Sequence, residues 1–384
     1  MAQWVQASKL IGGTVTGFAG TSSNLFAATD SSGIFFSTNN GSNWTTANTG
    51  LTDNVVQALL LNGTNIFAGT DSGGVYLSTN NGKNWTPTNS GLTNTTIFSF
   101  ALNGANLFAG TDSGVYRSSD NGANWIAENS SLTFSVVALA VNGTNLFAGT
   151  DGGVFLSANN GTNWTMTNNG LTDTTVLSLA VSGGNLIAGT DASGVFLSTN
   201  NGLNWTSESN SLSGNPVNVF EVWHTNIFAG TDSGGIFISV DKGLTWTSLS
   251  TGLTLNSPIT TLKVIDTNLF AGAEDGSVWR RPLSQMVAPS SVSQQHTQEF
   301  TLLQNIPNPF NSSTTIRYSI PSHEHIQITL SNMLGEKLKT LVDEDVDGGA
   351  HALAINADDL TNGVYILTVN AGGISKSEKI SVLK

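Results

Sequence analysis

The sequence predicts an all-β chain: a seven-bladed β-propeller whose ring is closed by the N-terminal strand, followed by a small Ig-like β-sandwich. Three observations carry this. A phrase that begins as Asn24-Leu-Phe-Ala-Ala-Thr-Asp30 returns at Asn65, Asn106, Asn145, Asn185, Asn226 and Asn268. Six copies run on into Ser-x-Asn/Asp-x-Gly-x-x-Trp, with tryptophans at Trp44, Trp85, Trp125, Trp164, Trp205 and Trp246, 39 to 41 residues apart. The last copy stops near Arg281 without such a tryptophan, whereas Trp4 stands 40 residues before Trp44 and lacks the half-unit that should precede it. Complementary half-units at the two ends suit a closed ring, because an open solenoid needs caps instead.

Composition agrees with many tight turns joining short strands. The 384 residues include 42 glycines and 39% hydrophobic residues but only 10% charged ones. A net charge of −13 argues against nucleic acid, whose phosphates demand lysine and arginine. With no cysteine, disulfides, thiol catalysis and thiolate-bound metals are excluded. No transmembrane run is present, and Met-Ala-Gln-Trp lacks the basic start and apolar stretch of a signal peptide, so an export signal is expected to have been removed.

Residues 51–90 show one blade in order. Residues 55–61 are apolar on both faces, as a strand between neighbouring blades should be, and Asn62-Gly63 signals a hairpin. Residues 66–70 return as a second strand, and Asp71-Ser-Gly-Gly74 turns the chain into a third at 75–78. Asn80-Asn81-Gly82 then leads to Trp85 and a short fourth strand. The stretch Ser78-Thr-Asn-Asn-Gly-Lys-Asn-Trp85 resembles the Asp-box, or BNR repeat, of sialidases and related propellers. That resemblance implies a structural hairpin between strands three and four. Its amide or acid, here Asn39, Asn80, Asp120, Asn159, Asn200 and Asp241, would bond the turn backbone while the tryptophan packs in the blade.

The expected domains are the propeller at 1–282, a Ser/Gln/Pro linker at 283–299 and the sandwich at 300–384. In the last, strands are expected at 314–320, 325–330, 363–369 and 374–383, with Asp343-Glu-Asp-Val-Asp-Gly-Gly349 as an acidic turn. Pro307-Asn308-Pro309-Phe310, Leu334-Gly335-Glu336, Leu360-x-x-Gly363-Val-Tyr365 and the ending Lys379-Ile-Ser-Val-Leu-Lys384 occur in order. This segment is similar to the type A C-terminal sorting domain of type IX secretion cargo. The resemblance implies export across the outer membrane to the cell surface or medium, with the secretion machinery as partner.

Candidate chemistry is sparse. A sialidase-like site would need three converging arginines, but the propeller has Arg117, Arg280 and Arg281, two of them adjacent. A glycosidase needs two unlike carboxylates. Instead, Asp30, Asp71, Asp112, Asp151, Asp191 and Asp232 recur at one place in the repeat, with Glu274-Asp275 near the seventh. They are expected to start Gly-rich turns; as a ring of carboxylates they could also form a ligand-binding face. The least regular stretch, 215–224, adds Glu221, Trp223 and His224 where sibling blades have small or apolar residues and Asn-Gly. His323 and His325 share a strand face without an evident third ligand, so no metal is expected there. Asp343, Glu344, Asp345 and Asp347 read as a solvated turn, with calcium as the alternative, and no other cofactor is expected. Near-identical blades favour an exported, non-catalytic binding or scaffold protein with a glycan or protein ligand. The alternatives are a carbohydrate-active enzyme and a self-associating surface or filament protein.

Overall fold

The computed structural model describes residues 3–286 except 22–23, 130, 209–211 and 254–256, and residues 301–384 except 321–323, 334, 347–348 and 372–373. The chain divides into two compact units, Met1–Ala288 and Pro289–Lys384. Residues 287–299 of the expected linker lie outside the described residues.

The first unit comprises seven four-stranded antiparallel sheets. Blade 1 runs Val15–Thr21, Asn24–Thr29, Gly33–Ser37 and Thr45–Thr46, and the next five blades repeat that order. Second strands are buried on both faces after their first residue, as in Asn65–Thr70 and Asn106–Thr111, which explains their lack of period-two alternation. Blade 7 takes Ile259–Ile265, Asn268–Ala273 and Ser277–Pro282 from one end of the repeat series and Val5–Lys9 from the other. Val5 pairs with Arg280, Gln6 with Trp279, Ser8 with Val278 and Lys9 with Ser277. The ring therefore closes as the phase of Trp4 predicts, and the edge of Ser277–Pro282 is covered.

Tryptophans tie successive blades together. The Nε1–H of Trp85 donates to Ala47 O at 2.7 Å, that of Trp125 to Thr88 O at 2.9 Å and that of Trp205 to Thr167 O at 2.7 Å. Trp4 performs the same task in blade 7, donating to Leu249 O at 2.9 Å while 2% exposed. Each turn before a tryptophan is built by two side chains. Ser37 Oγ accepts the Gly41 N–H and donates to Asn39 Oδ1, which also accepts the Asn43 N–H at 2.8 Å. Asn80, Asp120, Asn159, Asn200 and Asp241 accept the equivalent N–H at 2.9 to 3.0 Å. An amide oxygen serves as well as a carboxylate here because the bond needs only an acceptor. Gly82, at φ +73°, is required twice over, since a Cβ would also lie 2.4 Å from Phe26 Cε1 of the preceding blade.

The second unit holds a three-stranded sheet, Thr301–Ile306, Ser313–Ile320 and Gly349–Asn356. A four-stranded sheet has Lys337–Val346 at one edge, then Glu324–Ser331, Gly363–Ala371 and Ile374–Val382. One core containing Phe310, Ile316, Ile328, Leu367, Val369 and Ile380 joins them. One expectation is corrected: Asp343, Glu344 and Asp345 lie in the strand Lys337–Val346 and not in a turn. Cross-strand partners are the reason, since Asp345 stands opposite His325 and Asp343 opposite Gln327.

Candidate functional site

The inner strand of every blade faces the ring axis, and these seven strands line a channel cavity of about 290 Å³. Side chains staple this wall across blades. Ser99 Oγ donates to Val136 O at 3.2 Å, Ser178 Oγ to Val217 O at 2.7 Å, Asn218 Nδ2 to Ile259 O at 3.2 Å and Thr260 Oγ1 to Val15 O at 2.6 Å. These bonds satisfy carbonyls at the free edges of inner strands, which have no fifth strand to pair with.

One position breaks the symmetry of the wall. Where five blades place Ala19, Leu60, Ala101, Ala140 and Ala180, blade 6 places Glu221 and blade 7 Lys263. Lys263 Nζ lies 3.0 Å from both carboxylate oxygens, and Glu221 Oε1 accepts the Val264 N–H at 2.9 Å. The Glu221 side chain is 13% exposed and that of Lys263 44%. Burial raises the Glu221 carboxyl above its ordinary value, while the Lys263 ammonium and the Val264 N–H pull the other way. The fixed geometry makes Glu221 the holder and Lys263 the group presented to the cavity.

Strand register separates the two parts of the sequence-predicted ligand face. In blade 6, Val217 pairs with Thr231, beside Asp232, whereas Trp223 pairs with Asn226 at the hairpin. Asp232 and its equivalents Asp30, Asp71, Asp112, Asp151 and Asp191 thus follow the second strands at one end of the ring. Glu221, Trp223 and His224 lie toward the other. His224 occupies the left-handed hairpin position, at φ +56°, where sibling blades have Gly63, Gly104, Gly143 and Gly183. Its ring meets Trp223 edge-on at 4.8 Å. Trp223 itself packs against the core between blades 6 and 7.

Sequence inspection missed the aspartates that shape the loop end. Asp53 accepts the N–H groups of Val55, Ser72 and Gly73 and the Ser72 hydroxyl at 2.8 to 3.0 Å. Asp173 accepts those of Thr175, Ala192 and Ser193 at 2.8 to 3.2 Å. Partial burial opposes ionisation of both, but these bonds prevail and hold each carboxyl below its ordinary value. The recurrence of Gly-Leu-Thr-Asp at 50–53 and 170–173 was the available signal.

The arginines do not converge. Arg117 pairs with Glu128 at 2.8 Å, Arg280 donates to Asn40 O, and Arg281 donates to the carbonyls of Leu249 and Gln285. Two grooves at the outer rim, one along Phe36, Thr45 and Lys83 and the other along Leu156, Thr165 and Leu203, occupy equivalent repeat positions. Neither distinguishes one blade from its siblings.

In the second unit, the separated motifs meet at the last strand. Asn308 Oδ1 accepts the Ser381 N–H at 2.9 Å and its Nδ2 donates to Lys379 O at 3.1 Å. The Phe310 N–H donates to Ser381 O, and its ring is 2% exposed. Pro307 O accepts from Asn305 and Thr314. Tyr365 Oη donates to Thr361 O at 2.8 Å, Gly363 opens the strand Gly363–Ala371, and the Lys384 N–H donates to Asn362 Oδ1 at 2.6 Å. Gly335, at φ +84°, donates its N–H to Asn332 O in the turn before Lys337–Val346. His323 and Asp347 lie outside the described residues. His325 sits with Nε2 2.8 Å from Asp343 and Nδ1 2.9 Å from Asp345. Among the described residues, no group of acids and histidines has the geometry to hold a metal ion.

Residues 305–383 match the family described as the secretion system C-terminal sorting domain. The second unit is such a domain, and it implies interaction with the type IX secretion machinery and export to the cell surface or beyond. No curated protein sequence matches the chain. Among solved structures, the chain is similar to YCF48 from Cyanidioschyzon merolae, with a TM-score of 0.57 at 14% identity, covering 74% of this chain and 99% of that one. A structure of YCF48 bound to D1 peptide gives a TM-score of 0.58 at 15% identity, covering 73% and 96%. A GH74 xyloglucanase from Xanthomonas campestris gives a TM-score of 0.54 at 17% identity, covering 83% of this chain and 60% of the enzyme. At these identities the likeness shows the propeller fold and nothing finer. No helix among the described residues is long and apolar enough to cross a membrane.

Proposed function

We propose that the chain is an exported, non-catalytic binding propeller that works at the cell surface or outside the cell, delivered by its sorting domain. The observation that carries this is the state of Glu221. It is the acid on the channel wall, at a position where five blades have Ala or Leu, and it is held by Lys263 and the Val264 N–H instead of facing a second carboxylate. Hydrolysis of a glycosidic bond by an acid pair needs two carboxyl groups in unlike environments across a substrate. The remaining loop-end acids are repeated from blade to blade or spent on turn N–H groups. The Asp-box resemblance adds no activity of its own, since such hairpins are structural. YCF48, of the same fold, holds a peptide. The xyloglucanase shows that the fold also carries hydrolysis, so carbohydrate turnover is the reading to test against.

The purified chain is expected to release no sialic acid from sialyllactose and no reducing ends from xyloglucan. Turnover of either substrate that disappears in Glu221→Gln would overturn the proposal. Retention of a polysaccharide without turnover would not.

A further inference from the structure

The turns of the propeller carry one reactive pair in two different settings. Ten Asn-Gly pairs occur in the chain. In such a pair the glycine nitrogen can close on the asparagine side-chain carbonyl carbon, because glycine has no Cβ to crowd the approach. A C–N bond forms, the glycine N–H proton leaves with the departing amide nitrogen as ammonia, and a five-membered imide remains. Water then opens the imide at either carbonyl, giving aspartate or isoaspartate. Any group that holds the glycine N–H or the asparagine amide opposes the first step.

Five pairs sit in the turns before the tryptophans, where the nitrogen is engaged. Gly41 N–H donates to Ser37 Oγ at 3.0 Å, and Gly82, Gly122, Gly161 and Gly202 donate to the equivalent serines at 2.8 to 2.9 Å. All five glycines are buried. Two further pairs are fixed by other bonds: Asn169 O accepts the Trp205 N–H while its Nδ2 donates to Asn204, and Asn362 Oδ1 accepts the Lys384 N–H. The remaining three, Asn62, Asn103 and Asn142 with their glycines, tip the inner hairpins of blades 2, 3 and 4. Gly63, Gly104 and Gly143 are exposed, and a Cβ on any of them would meet nothing within 4 Å. Such tips also open locally at low free energy. Their asparagines are not held alike. Asn142 Nδ2 donates to Asn201 Oδ1 at 2.9 Å and to Gly184 O at 3.1 Å, and Asn62 Nδ2 donates to Asn121 Oδ1 at 3.3 Å. The Asn103 amide has no partner among the described residues. We propose that Asn62, Asn103 and Asn142 are self-modifying sites of the folded propeller, converting to aspartate and isoaspartate in the order Asn103, Asn62, Asn142 while the other pairs stay intact. Sequence alone does not give this selection, since Asn103-Gly-Ala and Asn121-Gly-Ala read identically from the asparagine onward. The new carboxylates collect on three adjacent blades at the hairpin end of the ring, where the unmodified chain has amides.

Ageing the purified full chain in mildly alkaline buffer tests this, with peptide mass mapping that resolves isoaspartate from aspartate. Asn103 is expected to convert about fivefold faster than Asn62, the scale of one hydrogen bond between neutral groups. Asn142 should be slower still, and the seven other pairs unchanged over the same interval. In a urea-unfolded sample those seven should convert alongside the hairpin pairs. Asn121→Gly removes the acceptor beside Asn62 and suits the left-handed backbone there, at φ +60°. It should bring Asn62 up to the rate of Asn103. If Asn121→Gly does not fold, the order in the parent chain and the urea comparison decide. Conversion of Asn121 as fast as Asn103 in the folded parent, the same selection in urea, or an unmoved Asn62 rate in folded Asn121→Gly would overturn the proposal.

Discussion

Trp4 shows how much one residue can contribute to the ring. Its indole fills the gap between blades 6 and 7 and donates to Leu249 O, as Trp85, Trp125, Trp164 and Trp205 do to carbonyls of their own neighbouring blades. Trp4→Phe should keep most of the packing and lose the bond, at about 1 kcal/mol. Trp4→Ala should cost about 3–5 kcal/mol. Urea melts of both variants check this, and a Trp4→Ala chain as stable as the parent would refute it. His325 makes a second residue-scale case. Hydrogen bonds to Asp343 and then Asp345 raise its pKa above the ordinary 6.5, because two facing carboxylates favour the doubly protonated ring. The raised value fixes the sign. The contact strengthens the pairing of Glu324–Ser331 with Lys337–Val346 below pH 6.5, and the gain is lost as pH rises through the elevated value. NMR titration of His325 should show that elevation, and Asp343→Asn should reduce it. An unchanged midpoint in the variant would contradict the assignment.

At the scale of elements, closure of blade 7 is the join on which the ring depends. The strand Val5–Lys9 is the outer member of a sheet whose other strands come from the far end of the repeats. Deleting residues 1–8 should lower the melting temperature and expose the edge of Ser277–Pro282, which can then pair with another copy. Light scattering should show concentration-dependent association of the deleted chain. A monomer with the parent's melting temperature would show that the strand contributes little. The C-terminal strand Ile374–Val382 plays a comparable part in the second unit, because Asn308 and Phe310 bond it directly.

For the whole molecule, the division into two units predicts separable tasks. In a host with type IX secretion and a signal peptide supplied, the full chain should reach the surface or medium. Removal of residues 300–384 should leave the propeller folded but retained in the periplasm, as judged by fractionation and by its melting curve. Normal export of the truncated chain would separate the sorting domain from delivery.

The sequence by itself determined the blade count, the closure and the turn chemistry. Each is written locally: Ser37, Asn39 and Gly41 build their hairpin within one unit, and repetition makes the pattern legible. The phase of Trp4 carried closure because a ring converts sequence period directly into angular position. The sorting motifs were legible for a related reason, being short fixed strings. Only the tertiary structure decided the rest. Glu221 and Lys263 are 42 residues apart and meet because adjacent blades bring their inner strands together. The acidic run at 343–345 became a strand because His325 and Gln327 offered partners across the sheet, a long-range pairing that local composition does not specify.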